Sequence, residues 1–134
     1  MESCSVLVVD DEEACCDILK NYLKDRFCIV DVARNGYRAA DLLRVKDYDI
    51  ALIDCSMPGM SGLELVRMIK ARSSMTCCVM ISGYDLVDES MAKEAGVDLF
   101  LTKPIPLVKV MKAVDDIRGR FKRNADSADK DFVA

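Results

Sequence analysis

The 134-residue chain contains no histidine. That absence removes imidazole both as a general acid or base and as a metal ligand. Positive charge is not in excess, since 19 Lys and Arg against 23 Asp and Glu leave a net charge of −4. A general cationic surface for nucleic acid or membrane is thereby excluded. No apolar run approaches the roughly 20 residues of a membrane span, and the N-terminus lacks a signal-peptide pattern. These features predict a cytoplasmic protein. Glycine-rich phosphate loops of the G-x-G-x-x-G or G-x-x-x-x-G-K type are missing, as are internal repeats and low-complexity blocks. Cysteine, by contrast, occurs seven times. The number is odd, no pair is spaced C-x-x-C, and the adjacent pairs Cys15-Cys16 and Cys77-Cys78 suit neither a zinc knuckle nor a disulfide framework. Most lie among hydrophobic neighbours and read as small reduced core residues. Cys55 is the one best placed for oxidation.

An apolar fraction of 51% with 31% charged residues describes one globular domain long enough to bury a core. The stretch from Asp49 to Gly62 organises it. Ile50-Ala51-Leu52-Ile53 is an apolar run that ends at Asp54, as a strand buried on both faces would. Pro58 and Gly59 stop it, and Ser61-Gly62-Leu63-Glu64 is a capping box opening a helix to about Arg72. Asp54 therefore stands at the carboxyl end of a central strand, where open α/β sheets bind ligands. A second buried strand, Ser5 to Val9, ends in Asp10-Asp11. Cys15, Ile18, Leu19, Tyr22 and Leu23 then form one helical face. Strands are predicted at Cys28 to Val32, Cys77 to Ser82 and Val97 to Leu101. A short helix follows Asn35-Gly36 through Leu43, and another runs from Asp85 to Ala95 with a thin stripe of Val87, Met91 and Ala95, capped by Gly96. The last helix starts near Pro106 and buries Leu107, Val110, Met111, Val114, Ile117 and Phe121. Arg118, Arg120, Lys122 and Arg123 read as its solvated basic end, and residues 124–134 as a polar tail or linker after a domain of residues 4–123. Five strands alternating with five helices give a parallel, doubly wound α/β sheet.

That arrangement gathers Asp10, Asp11, Asp54, Ser82 and Lys103 at one sheet edge. Three carboxylates and one ammonium leave a local charge of −2, and like charges so placed raise one another's pKa unless a cation intervenes. Carboxylates, a backbone carbonyl and water suit Mg²⁺. Lys103 is positioned to pair with Asp54 and, with Ser82, to hold the oxygens of a phosphoryl group transferred onto Asp54.

In Val8-Val9-Asp10-Asp11-Glu12, Ile53-Asp54-Cys55-Ser56-Met57-Pro58-Gly59-Met60-Ser61-Gly62, Ser82-Gly83 and Leu101-Thr102-Lys103-Pro104, in this order and spacing, the chain resembles a response-regulator receiver domain of two-component signalling. The resemblance implies a flavodoxin-like strand order 2-1-3-4-5 and phosphorylation of Asp54. It implies Mg²⁺ bound by Asp11, Asp54 and the Ser56 backbone carbonyl, with Asp10 acting through water. Ser82, Gly83 and Lys103 would meet the phosphoryl group, and the Lys103–Pro104 bond would be cis. Ser82 and Phe100 would form a switch that changes the surface of the fourth helix, fifth strand and fifth helix, through which relatives commonly dimerise. With no histidine of its own, the chain would take its phosphoryl group in trans from a sensor histidine kinase or a phosphotransfer protein, and act on a downstream protein target or an output domain.

Three other readings stand beside this one. An Asp-nucleophile phosphatase of the haloacid dehalogenase type needs an acid two residues after the nucleophile, where Ser56 stands. A flavodoxin-like flavin carrier needs a hydroxyl-rich loop after strand one, where acids stand. A receiver-like adaptor acting by contact without phosphorylation would have little use for the complete acidic set. Within the leading reading, Ser56 and Tyr84 lie two residues beyond Asp54 and Ser82, flanking the line along which water attacks an aspartyl phosphate. Ser56 offers nothing to orient that water and Tyr84 is large enough to obstruct it, which predicts a long-lived phosphoryl state.

Overall fold

Successive side chains of a strand point to opposite faces, so an unbroken apolar strand needs a helix layer on each side. The computed structural model, which describes residues 4–24, 26, 28–55, 57–83, 89–104, 107–117 and 119, meets that need. In chain order the elements are β1 (Cys4–Val9), α1 (Glu13–Lys24), β2 (Cys28–Ala33), α2 (Gly36–Val45), β3 (Ile50–Asp54), α3 (Gly62–Arg72), β4 (Cys77–Ser82), α4 (Glu89–Ala95) and β5 (Leu99–Thr102). Helix α5 covers residues 107–117. The strands form one parallel sheet in the order β2-β1-β3-β4-β5. Among the described residues no helix is long and apolar enough to cross a membrane.

Alternate residues divide between two cores. Leu7, Val9, Ala51, Ile53, Cys78 and Met80 meet α2, α3 and α4 on one face. Val6, Val8, Ile50, Leu52, Cys77 and Val79 meet α1 and α5 on the other. Each Leu or Ile fully buried this way contributes roughly 1.5–3 kcal/mol. All seven cysteines are reduced; six are buried and Cys15 is half-buried. Burial pushes the Cys78 thiol up to about 12, which suits a packing role.

Several local expectations shift. Helix α1 buries Cys16, Leu19 and Leu23, whereas Ile18 is 48% exposed and Cys15 and Tyr22 are half-buried. Five apolar positions on twelve residues make a stripe wider than the contact one helix has with the sheet. Helix α4 turns Ala92 and Ala95 inward and leaves Met91 exposed, since the small pair lets the helix lie close. It ends in a Schellman cap: Gly96 has φ 106, its N–H donates to Lys93 O at 3.1 Å, and Val97 N–H donates to Ala92 O at 3.0 Å. That cap takes the Val97 N–H, so β5 begins at Leu99 and not at Val97. Helix α2 continues to Val45, two residues past Leu43. Helix α5 buries Val110, Ala113, Val114 and Ile117, with Leu107 and Met111 half-buried. Val87, Pro106, Arg118, Arg120, Phe121, Lys122, Arg123 and residues 124–134 lie outside the described residues.

Helix α3 fixes the most consequential contact. Ser61 caps it, its Oγ accepting from Glu64 N–H at 3.2 Å, and Gly62 presses the helix start onto the end of β3. A Cβ at Gly62 would lie 2.8 Å from the Asp54 carbonyl oxygen and 2.9 Å from Cys55 Cα. Both are backbone atoms and cannot swing aside. Gly62→Ala should therefore destabilise the protein by about 1–3 kcal/mol. Urea unfolding checks this, and a wild-type midpoint would show that the helix start can move.

Candidate functional site

The carboxyl edge of the sheet is built by ladder bonds that run past the strand ends. Asp10 N–H donates to Ala33 O at 3.1 Å, Cys55 N–H to Ile81 O at 3.1 Å, and Lys103 N–H to Ser82 O at 2.7 Å. These bonds fix Asp10, Asp54, Ser82 and Lys103 to the frame before any side chain acts. Asp10 is 5% exposed, Asp54 3% and Ser82 3%. Oxygens of Asp10, Asp11 and Asp54 lie within 4.8 Å of one another. Lys103 Nζ lies 3.5 Å from Asp54 Oδ1 and 4.0 Å from Glu12 Oε1.

The charges perturb one another. Burial pushes Asp10 up to about 6, against the Glu12 N–H bond that favours its ionised form and with help from the Asp54 charge. For Lys103 burial acts downward, but the Asp54 and Asp10 carboxylates outweigh it and the ammonium is held above its ordinary value. Lys103 is thus a fixed cation facing an excess of negative charge. The donors of Asp10, Asp11 and Asp54 are all hard oxygens converging on one point, which fits Mg²⁺.

Other expected residues take less central places. Gly83 is exposed, and a Cβ there would sit 3.2 Å from Lys103 Cδ, so it leaves room for the lysine stem. The Lys103–Pro104 bond is cis. Phe100 pairs with Met80 across β4 and β5 and is half-buried. It lines a cleft of about 280 Å³ with Ala92, Lys93, Val97 and Leu99. Ser56 and Tyr84 lie outside the described residues.

Three neighbours of the acids had no assigned part in the sequence reading. Glu12 donates its N–H to Asp10 Oδ1 at 2.9 Å. Cys16 Sγ donates to Asp10 O at 3.2 Å. Arg34 Nη2 donates to Asp11 O at 3.0 Å. Only the last leaves a readable signal: Arg34 follows strand two, and strand two ends beside strand one in this strand order.

The model of the response regulator receiver domain matches residues 6–115. The chain belongs to the response regulator receiver domain family. Receiver domains are signalling proteins of two-component systems. The chemotaxis protein CheY of Halobacterium salinarum is 32% identical over 115 residues, which are 84% of this chain and 94% of that protein. A cyclic di-GMP phosphodiesterase of Thermotoga maritima is 37% identical over 106 residues, 77% of this receiver domain chain and 28% of the phosphodiesterase. The receiver domain thus spans from 28% to 52% of the length of several curated relatives that it matches. Among solved structures, the response regulator TrrA of Thermotoga maritima, in complex with Mg²⁺-BeF, superimposes with a TM-score of 0.77 at 26% identity, covering 87% of this chain and 99% of that one.

The raised pKa of Asp10 has a stability consequence. Because the folded value, about 6, exceeds the ordinary 3.8, the native state holds the proton more tightly. The associated stability is complete below about pH 4 and is lost as pH rises through about 6. Asp10→Asn keeps an acceptor for the Glu12 N–H without the buried charge. In metal-free buffer at pH 7.5 it should be more stable than wild type by on the order of 1–3 kcal/mol. The gap should narrow toward pH 4. Denaturant unfolding at both pH values is the check, and no gain at pH 7.5 would contradict it.

Proposed function

We propose that this receiver domain accepts a phosphoryl group on Asp54 in an Mg²⁺-dependent reaction with a phosphohistidine supplied in trans. The observation that carries the reading is the convergence of the Asp10, Asp11 and Asp54 carboxylates within 4.8 Å, with Lys103 Nζ 3.5 Å from Asp54. The donor is a sensor histidine kinase or a His-containing phosphotransfer protein, because this chain has no histidine. Asp11, Asp54 and the Ser56 carbonyl would hold Mg²⁺ directly and Asp10 through water. Once bound, the ion supplies charge neutralisation that lets an anionic donor approach.

The chain's own residues supply the rest. An oxygen of Asp54 attacks phosphorus, the phosphorus–nitrogen bond of the donor breaks, and its electron pair leaves on the imidazole nitrogen. Asp54 starts buried and oriented, so little solvent reorganisation accompanies attack. Lys103 takes one phosphoryl oxygen; Ser82 and Gly83, at the end of β4, take another. Phosphorylation then draws Ser82 inward, and Phe100 turns into the space vacated. The face of α4, β5 and α5 changes as a result and meets a downstream protein, an output domain or a second copy. The domain acts in the cytoplasm as a switch, spans residues 4–123, and is followed by residues 124–134 as a polar tail or linker. Its only catalysis is of its own phosphorylation and dephosphorylation.

Incubation with Mg²⁺ and a small acyl phosphate should add one phosphoryl group by intact mass. Asp54→Asn should abolish the gain and Asp11→Ala should reduce it strongly. An equal gain in Asp54→Asn removes the assignment, and a wild type that gains nothing favours a contact-only adaptor.

The phosphoryl group is proposed to be long-lived, because Ser56 orients no water and Tyr84 obstructs the in-line path. Tyr84→Ala should shorten the half-life severalfold, and Ser56→Asn should shorten it by orienting water. Equal decay of wild type and Tyr84→Ala in Mg²⁺ would show that Tyr84 is no shield.

A further inference from the structure

Arg34 stands one residue beyond β2, beside the acidic turn that follows β1. The pairing Val9 with Ala33 ends the regular register, and Asp10 N–H to Ala33 O at 3.1 Å extends it by one bond. Arg34 therefore leaves the strand where its side chain can reach Asp11. Its Nη2 donates to the Asp11 carbonyl at 3.0 Å, and its Nη1 lies 3.6 Å from Glu13 Oε2. On the inner side of the same turn, Glu12 N–H donates to Asp10 Oδ1 at 2.9 Å and Cys16 Sγ to Asp10 O at 3.2 Å. The four consecutive acids from Asp10 to Glu13 are thus fastened from within by the turn's own bonds and from outside by one arginine.

The two contacts of Arg34 differ in worth. Its ion pair with Glu13 joins side chains that are 55% and 73% exposed, and pairs so exposed contribute little. The bond to the Asp11 carbonyl is also exposed, but it is directional: a charged donor meets a backbone acceptor whose position sets where the Asp11 side chain starts. Toward an incoming divalent cation the two effects of Arg34 also oppose each other. As a charge, the guanidinium repels the cation, an effect that salt screens over about 8 Å at physiological ionic strength. As a donor, it holds the Asp11 peptide so that the carboxylate stays within reach of Asp10 and Asp54, and salt does not screen geometry.

We infer that Arg34 is a positioning residue for Mg²⁺: its bond to the Asp11 carbonyl holds the acidic turn in its binding conformation, and this outweighs its repulsion of the ion. The inference rests on the reading of Asp11 as a ligand. It gives the position after β2 a task in the site that the acids alone do not reveal.

The sign of one measurement separates the two effects. Mg²⁺ is titrated calorimetrically into the full chain as wild type, Arg34→Ala, Glu13→Gln and Asp11→Ala at 0.15 M salt, with thermal unfolding followed alongside. Arg34→Ala should bind Mg²⁺ about tenfold more weakly, as loss of a supporting hydrogen bond does at metal sites, although it removes a positive charge. Glu13→Gln should stay within about twofold of wild type. In metal-free protein, the amides from Asp11 to Glu13 should exchange faster in Arg34→Ala while those of β3 are unchanged. Equal or tighter Mg²⁺ binding by Arg34→Ala overturns the inference, as does an equal loss in Glu13→Gln or unchanged exchange in the turn. Undiminished binding by Asp11→Ala overturns the reading of the ligands instead, so the two failures are distinguishable.

Discussion

Three carboxylates held within 4.8 Å of one another, two of them almost wholly buried, set the terms for this molecule. Such a cluster is tolerable only with compensating positive charge and hydrogen bonds to its ionised forms. Lys103 supplies the nearest cation and the Glu12 N–H one of the bonds. Burial is the main reason that Asp10 still rises to about 6, and the Asp54 charge adds to it. Hard carboxylate oxygens gathered this closely fit a divalent ion.

The frame is what permits the charge to stay. Asp10, Asp54 and Ser82 stand at or just past the ends of β1, β3 and β4, whose interiors are almost entirely buried. The adjoining ladder bonds leave those residues little freedom to move apart. Gly62, with no side chain, lets α3 start directly against the Asp54 carbonyl. The same parallel arrangement that buries the apolar runs therefore aligns the acids. Packing energy from both cores opposes the repulsion that the site creates.

Elsewhere in the sheet the charges are arranged differently. Lys70 Nζ donates to Thr76 O at 2.6 Å and to Asp98 Oδ2 at 2.7 Å, and the same Asp98 oxygen accepts from Cys78 N–H at 2.8 Å. Tyr48 OH donates to Asp31 Oδ2 at 2.7 Å beside Lys46. Each carboxylate there meets a cation and a neutral donor, so attraction exceeds repulsion. At the carboxyl edge the balance is reversed, with three carboxylates gathered around one ammonium.

The sequence by itself determined the elements and which polar residues stand at the strand ends, because both follow from local pattern. Apolar runs stopped by Asp10, Asp54 and Ser82 mark buried parallel strands, and such strands must end together in a sheet of this type. Strands β3 and β4 and helix α3 fall where those patterns put them. What needed the tertiary structure is whatever depends on relative rotation and reach. The inward face of α1 excludes Ile18 because the sheet meets only part of a broad apolar stripe. The start of β5 moves to Leu99 because the cap of α4 has taken the Val97 N–H. Arg34, 23 positions from Asp11 in the chain, acquires its place at the site only when β2 lies against β1. Periodicity reports what a residue would prefer to bury, but only the packed sheet decides which polar groups come within hydrogen-bonding distance.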